Sequence, residues 1–163
     1  MSWGPEFEEE RNRENRTEEN RELALHCANL IKAKGPELWD SLRAKCKEEV
    51  KDYEVRCMAE HGDTTRCQIR FDEATPDVSF YVQKEGVSDA PRAFVYLRLA
   101  GYKIEVKHVT LLADGSRKTD PLQHLIFESD GIKDVWLKFA GKRIELEKAA
   151  KDVILRRVLF GKP

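Results

Sequence analysis

Apolar positions along the chain change their spacing three times, and each change marks an element. Residues 6–22 alternate Glu, Arg and Asn with almost nothing apolar, so this stretch has no face to bury. Pairs such as Glu9 with Arg13 support helix at about 0.2–0.5 kcal/mol each, which biases a helix without anchoring it. From Leu23 an apolar stripe begins at helical spacing, through Cys27, Leu30 and Ile31, and a left-handed cap is expected at Gly35. Pro36 suits a first helical position, and Leu38, Trp39, Leu42, Cys46 and Val50 repeat at helical intervals after it. The short Gly35-Pro36 link predicts an antiparallel helical hairpin.

Beyond Asp52 the period drops to two. Tyr53, Val55, Cys57 and Ala59 alternate with polar neighbours, a turn is read at residues 61–63, and Thr65, Cys67, Ile69 and Phe71 alternate again. The predicted register sets Tyr53 opposite Phe71, Val55 opposite Ile69 and Cys57 opposite Cys67. A third strand turns Val78, Phe80 and Val82 inward. Residues 93–100 and 102–110 form a hairpin with Leu97 opposite Ile104 and Val95 opposite Val106, which puts Arg98 opposite Lys103.

Asp130-Gly131 predicts a further hairpin over residues 122–140, with Leu122, His124 and Ile126 sharing a face with Val135, Leu137 and Phe139. Leu125, Phe127 and Trp136 fall on its other face, so both faces are apolar. Residues 143–160 read as a helix with Leu146, Ala149, Ala150, Val153, Ile154 and Val158 inward. The expected fold is α+β: an antiparallel meander sheet of six or seven strands with an N-terminal helical hairpin and a C-terminal helix packed on it. Residues 1–20 are expected to be a charged, weakly anchored helical extension, and residues 21–163 a single α+β domain.

Composition narrows the function classes. Charged residues make up 36% of the chain, above the ~25% usual for globular domains, so charge must coat most exposed faces. The 29 Lys plus Arg nearly cancel the 30 Asp plus Glu, so no global field steers the protein toward nucleic acid or an anionic membrane. No apolar run approaches the ~20 residues that span a bilayer, and no export signal is read at the N-terminus. With four cysteines and no disulfide-scaffold pattern, a cytoplasmic address with reduced thiols is the expectation.

The candidate chemistry is sparse. Cys57, His61 and Cys67 offer zinc donors around one turn but lack knuckle spacing and a fourth ligand, so no metal is expected. His26, Cys27 and Cys46 suggest a thiol paired with a base, yet both cysteines continue apolar stripes, which favours packing. His108 and His124 are the candidate acid and base if the chain is an enzyme of unrecognised class. Arg66, Gln68 and Arg70 with Tyr81, Phe94, Tyr96, Arg98, Lys103 and Lys107 gather on the polar side of the sheet. Aromatic and basic side chains so placed are what single-stranded nucleic acid uses, but Glu54 and Glu105 interrupt the patch, so a solvated, charge-paired face is expected and nucleic acid is not.

Phosphate loops, dinucleotide fingerprints and common catalytic motifs are missing from the sequence, so no cofactor is expected. The leading expectation is a non-enzymatic protein-interaction module, homodimeric through Leu125, Phe127 and Trp136 or the last helix. The alternative is a carrier of a small apolar ligand, held between sheet and helices by Phe80, Val82, Leu97, Ile104 and His124.

Overall fold

The computed structural model describes residues 4–62, 69–75, 77–84 and 92–160. Its first element is one unbroken helix, α1 (Gly4–His61), which replaces the expected hairpin of helices. At about 1.5 Å per residue it runs for roughly 87 Å. Pro36 lies inside it and removes one backbone donor, which neighbouring turns tolerate because the stripe is half-buried just before it, at Cys27, Leu30 and Ile31, and buried after it. Trp39, Leu42, Cys46 and Val50 are buried, with Ile31 and Leu38 packed against them.

The helix also runs through residues 53–59, where a strand was expected. Tyr53 and Cys57 stand four residues apart and so satisfy a helical face as well as an alternating one, while Val55 and Met58 are exposed. The expected pairing of Tyr53 with Phe71 and Val55 with Ile69 is therefore absent, and the Cys67 half of that hairpin lies outside the described residues. Residues 4–26 are exposed throughout, including Phe7, Leu23 and Leu25.

The strands are β1 (Ile69–Thr75), β2 (Ser79–Lys84), β3 (Arg92–Ala100), β4 (Lys103–Leu111), β5 (Arg117–Thr119), β6 (Gln123–Ser129), β7 (Val135–Phe139) and β8 (Lys142–Ile144). They form one antiparallel sheet in the order β1-β2-β3-β4-β6-β7-β8, with β5 paired to the far end of β4. Gly101, at φ +62, opens the two-residue turn between β3 and β4, so Leu97 pairs with Val106 and Arg98 with Glu105. The ladder is thus slid by two residues from the expected register, which keeps every side chain on its expected face and removes the Arg98–Lys103 clash.

Between β6 and β7 the connection is five residues long, not two. The Asp130 carboxylate accepts the amides of Ile132, Lys133 and Asp134 at 2.9–3.0 Å, holding the wider loop. Phe127 consequently pairs with Leu137, and Ile126 with Lys138. The faces are exchanged relative to expectation: Leu125, Phe127 and Leu137 point into the core, while His124, Ile126 and Trp136 point away from it. Ala140 and Gly141, both at positive φ, then make a tight turn into β8, a strand that the sequence reading had merged into the last helix.

The C-terminal helix runs through α2 (Leu146–Lys148), a π-helical segment (Ala149–Leu155) and α3 (Arg156–Phe160). Val153, Ile154 and Leu155 are all buried. Three consecutive residues span about 200° of an α-helix, more than one flat contact can cover. The segment packs on α1, and α3 packs on β2 and β3, so it is enclosed from two sides. Both helices cover the same face of the sheet, where Trp39, Phe71 and Phe80 form an aromatic cluster with centroids 5.1–5.3 Å apart. Cys57 is disulfide-bonded, which corrects the expectation of reduced thiols at that position, and Cys27 and Cys46 are free. No described helix is long and apolar enough to cross a membrane.

Candidate binding surface

The alternation of β2, β3 and β4 sorts two chemistries onto two faces. Phe80, Val82, Val95, Leu97, Ile104 and Val106 are at most 1% exposed and meet the helices. The residues between them face the other way. One rung of paired residues runs Tyr81, Tyr96, Lys107 across three strands. The next runs Arg98, Glu105, His124, and a third runs Lys103, Ile126, Lys138.

The rings on this face form a row. Tyr81 and Tyr96 lie 5.5 Å apart between centroids at 37°, and Phe94 continues the row 6.4 Å from Tyr96. Tyr81 donates its hydroxyl to Asp72 at 2.8 Å, and Arg70 donates to the same carboxylate oxygen at 2.6 Å. The Tyr81 hydrogen bond, reinforced by Arg70, holds the Asp72 carboxyl below its ordinary range, and the same bond raises the Tyr81 phenol. The Tyr81 ring is thereby fixed in place while Tyr96 beside it is 41% exposed. A groove of about 410 Å³ lies at the Tyr81 and Tyr96 rings and is lined also by Arg98, Glu105, Lys107 and Leu122.

Charges on the face cancel only in part. Asp72 is engaged by Arg70, and Glu128 by Lys138 at 3.1 Å. Arg143 lies over the Trp136 ring at 4.8 Å. Glu105 remains among Arg98, Lys103 and Lys107, and none of these three cations has an ion-pair partner within 4.0 Å among the described residues. The expected interruption by Glu54 does not occur, because Glu54 is on α1 and accepts the Ile69 amide at 3.3 Å. Arg66 and Gln68 lie outside the described residues.

The other expected sites are placed as follows. Phe80, Val82, Leu97 and Ile104 are core residues packed with Trp39, Leu42 and Ile154, so the space expected to hold an apolar ligand is filled by side chains. His124, the fifth of that set, is on the opposite face. Leu125 and Phe127 are also in the core, at 0% and 4% exposure, and offer no surface to a second copy. Trp136 is half-buried under Arg143.

His108 and His124 point to opposite faces and do not converge. His108 is buried, its Nε2 lies 3.0 Å from the Val153 carbonyl, and burial lowers its pKa. No cluster of metal-binding side chains occurs among the described residues; Cys57 is in its disulfide, and the His61 side chain and Cys67 lie outside them. Cys46 is fully buried and its thiol pKa is pushed up by desolvation, which suits packing and not nucleophilic attack. A hollow of about 620 Å³ between α1 and the C-terminal helix is lined by none of the expected residues except Cys57. Compared with known proteins, the chain matches no family model, no curated protein and no solved structure.

Proposed function

We propose that this chain is a non-enzymatic binding module whose working surface is the uncovered face of the sheet and whose partner is a polyanion. The observation that carries this reading is the placement of Arg98, Lys103 and Lys107 on the same face as the Tyr81, Tyr96 and Phe94 rings, of which Tyr96 is exposed, without ion-pair partners among the described residues. Elsewhere on the face Lys138 pairs with Glu128 across strands, whereas Arg98, Lys103 and Lys107 share the single carboxylate of Glu105 among the described residues. With a formal net charge of -1, any affinity for a polyanion must come from a local patch and not from the molecule as a whole.

Heparin-affinity chromatography at neutral pH tests the reading. The wild-type chain should be retained at low salt despite its net charge, and the Lys103→Glu, Lys107→Glu double variant should flow through. A wild-type chain that is not retained at low salt overturns the reading.

A further inference from the structure

Building on the polyanion reading, we infer that the partner is single-stranded nucleic acid, its bases stacked along Tyr81, Tyr96 and Phe94 and its phosphates held by Lys107, Lys103 and Arg98. A polyanion made only of charge, such as an acidic peptide, would use the cations and leave the ring row idle. A duplex keeps its bases stacked inside and presents phosphates on a convex surface, so its bases cannot reach rings on a sheet. Unpaired bases can be splayed onto aromatic side chains, and every base has a face to offer.

The geometry supplies both partners at adjacent positions. Neighbouring strands lie about 4.8 Å apart, so the rung Tyr81, Tyr96, Lys107 places two rings and then a cation within roughly 10 Å, the scale of one to two nucleotides. Tyr81 is held by Asp72 and Arg70 before any ligand arrives, which lowers the ordering cost of stacking. Glu105 is the one acidic side chain lining the groove among the described residues. It lies opposite Arg98 and two residues from both Lys103 and Lys107, so it opposes the phosphates that those cations hold.

The test is fluorescence anisotropy of the full chain with labelled single strands of about 15 nucleotides, a length within the range that one sheet platform covers. Single-stranded dT and dC oligomers should both bind at low salt, and the affinity should fall steeply between about 50 mM and about 200 mM salt. The duplex of the same length and an acidic polyglutamate peptide should each bind at least about tenfold more weakly. Tyr96→Ala should lower affinity about tenfold, and Lys107→Ala should lower it less while reducing the salt dependence. Glu105→Gln should raise the affinity for both single strands. Lys148→Ala, on α2 away from the face, should change nothing.

Heparin retention without binding of either single strand overturns this inference and leaves the polyanion reading standing, whereas absence of both sinks the two together. Equal affinity for duplex or for polyglutamate also overturns it, as does a folded Tyr96→Ala chain that binds like the wild type. Should Tyr96→Ala fail to fold, Lys107→Ala and Glu105→Gln carry the test, since neither touches the ring packing.

Discussion

The imidazole Nε2 of His108 lies 3.0 Å from the carbonyl oxygen of Val153, in the π-helical segment of the C-terminal helix. A carbonyl can only accept, so Nε2 carries the proton and Nδ1 is a bare acceptor. That Nδ1 is buried with no hydrogen-bond partner among the described residues. The side chain joins the central strand β4 to a stretch of helix where the regular i to i+4 ladder is replaced.

This geometry sets a pH dependence. Burial, with Arg157 nearby, lowers the His108 pKa below its ordinary 6.5, while the Val153 carbonyl opposes that shift. The unfolded chain therefore binds more protons between the folded value and 6.5, and stability rises with pH through that window. Melting temperature should drop when the pH is lowered from about 7.5 to about 5.5, before the carboxylates titrate. His108→Gln should flatten that drop and cost about 1–2 kcal/mol at neutral pH. A variant that keeps the wild-type slope removes His108 as its cause.

Glu73 ties β1 to α1. Its carboxylate pairs with Arg43 and Lys47, each at 2.6 Å, and the Lys47 and Arg43 hydrogen bonds hold its pKa below the usual carboxylate range. A lowered carboxylate contributes stability above its unfolded value that is lost as pH falls through its folded one. Arg43 is mostly covered, and its Nε has no hydrogen-bond partner among the described residues, so removing the negative charge leaves a poorly solvated guanidinium. Chemical denaturation of Glu73→Gln should show a loss of about 1–2 kcal/mol at neutral pH, discounted for partial exposure, and less at pH 3. An equal loss at both pH values points to packing instead of charge.

Thiol accessibility separates the cysteines. Cys27 is half-buried and lies 3.3 Å from the Ser129 carbonyl oxygen, whereas Cys46 is fully enclosed with its thiol pKa raised. Under native conditions an alkylating reagent should label Cys27 and spare Cys46, denaturant should expose Cys46, and Cys57 should react only after reductant is added. Mass mapping of the labelled peptides reads all three, and native labelling of Cys46 at the rate of Cys27 contradicts the packing of α1 on the sheet.

Much of the sheet was legible because alternation there has one interpretation. Phe80 with Val82, Val95 with Leu97 and Ile104 with Val106 are inward as expected, and the ring row with Lys103 and Lys107 is outward. Where one spacing served two periods, the reading failed. Tyr53 and Cys57 fit both a strand and a helix, and only the burial of the upstream stripe decides for helix. Pro36 read as a helix start because local preference cannot see that the sheet holds both sides of it. Asp-Gly at 130–131 read as a two-residue turn, while the Asp130 side chain collects three amides and lengthens the loop. That difference moved His124 off the core face and put Leu125 and Phe127 into it.

The β6–β7 loop also anchors the exposed half of α1, and Gly131 is the residue that allows it. Its φ is +75, and a Cβ built there would lie 2.7 Å from Leu23 Cδ1 and 3.1 Å from Cys27 Sγ. Lys34 donates to the Lys133 carbonyl at 2.6 Å, and the Cys27 thiol to that of Ser129, so this loop is gripped at several points along two helical turns. Gly131→Ala meets two penalties: the left-handed backbone, about 1–2 kcal/mol for a residue with a Cβ, and the close approach to Leu23. Leu23 is 51% exposed, so its tip can swing aside and the steric part should be the smaller. The expected total is about 1–3 kcal/mol. Because the strain falls on the loop contact and not on the core, hydrogen exchange should accelerate first in residues 20–34, ahead of the stretch around Leu42 and Cys46. Leu23→Ala in the same chain should recover the steric part only, leaving the backbone cost in place. Uniform acceleration along all of α1 would mean that the loop contact does not hold the helix separately from the core.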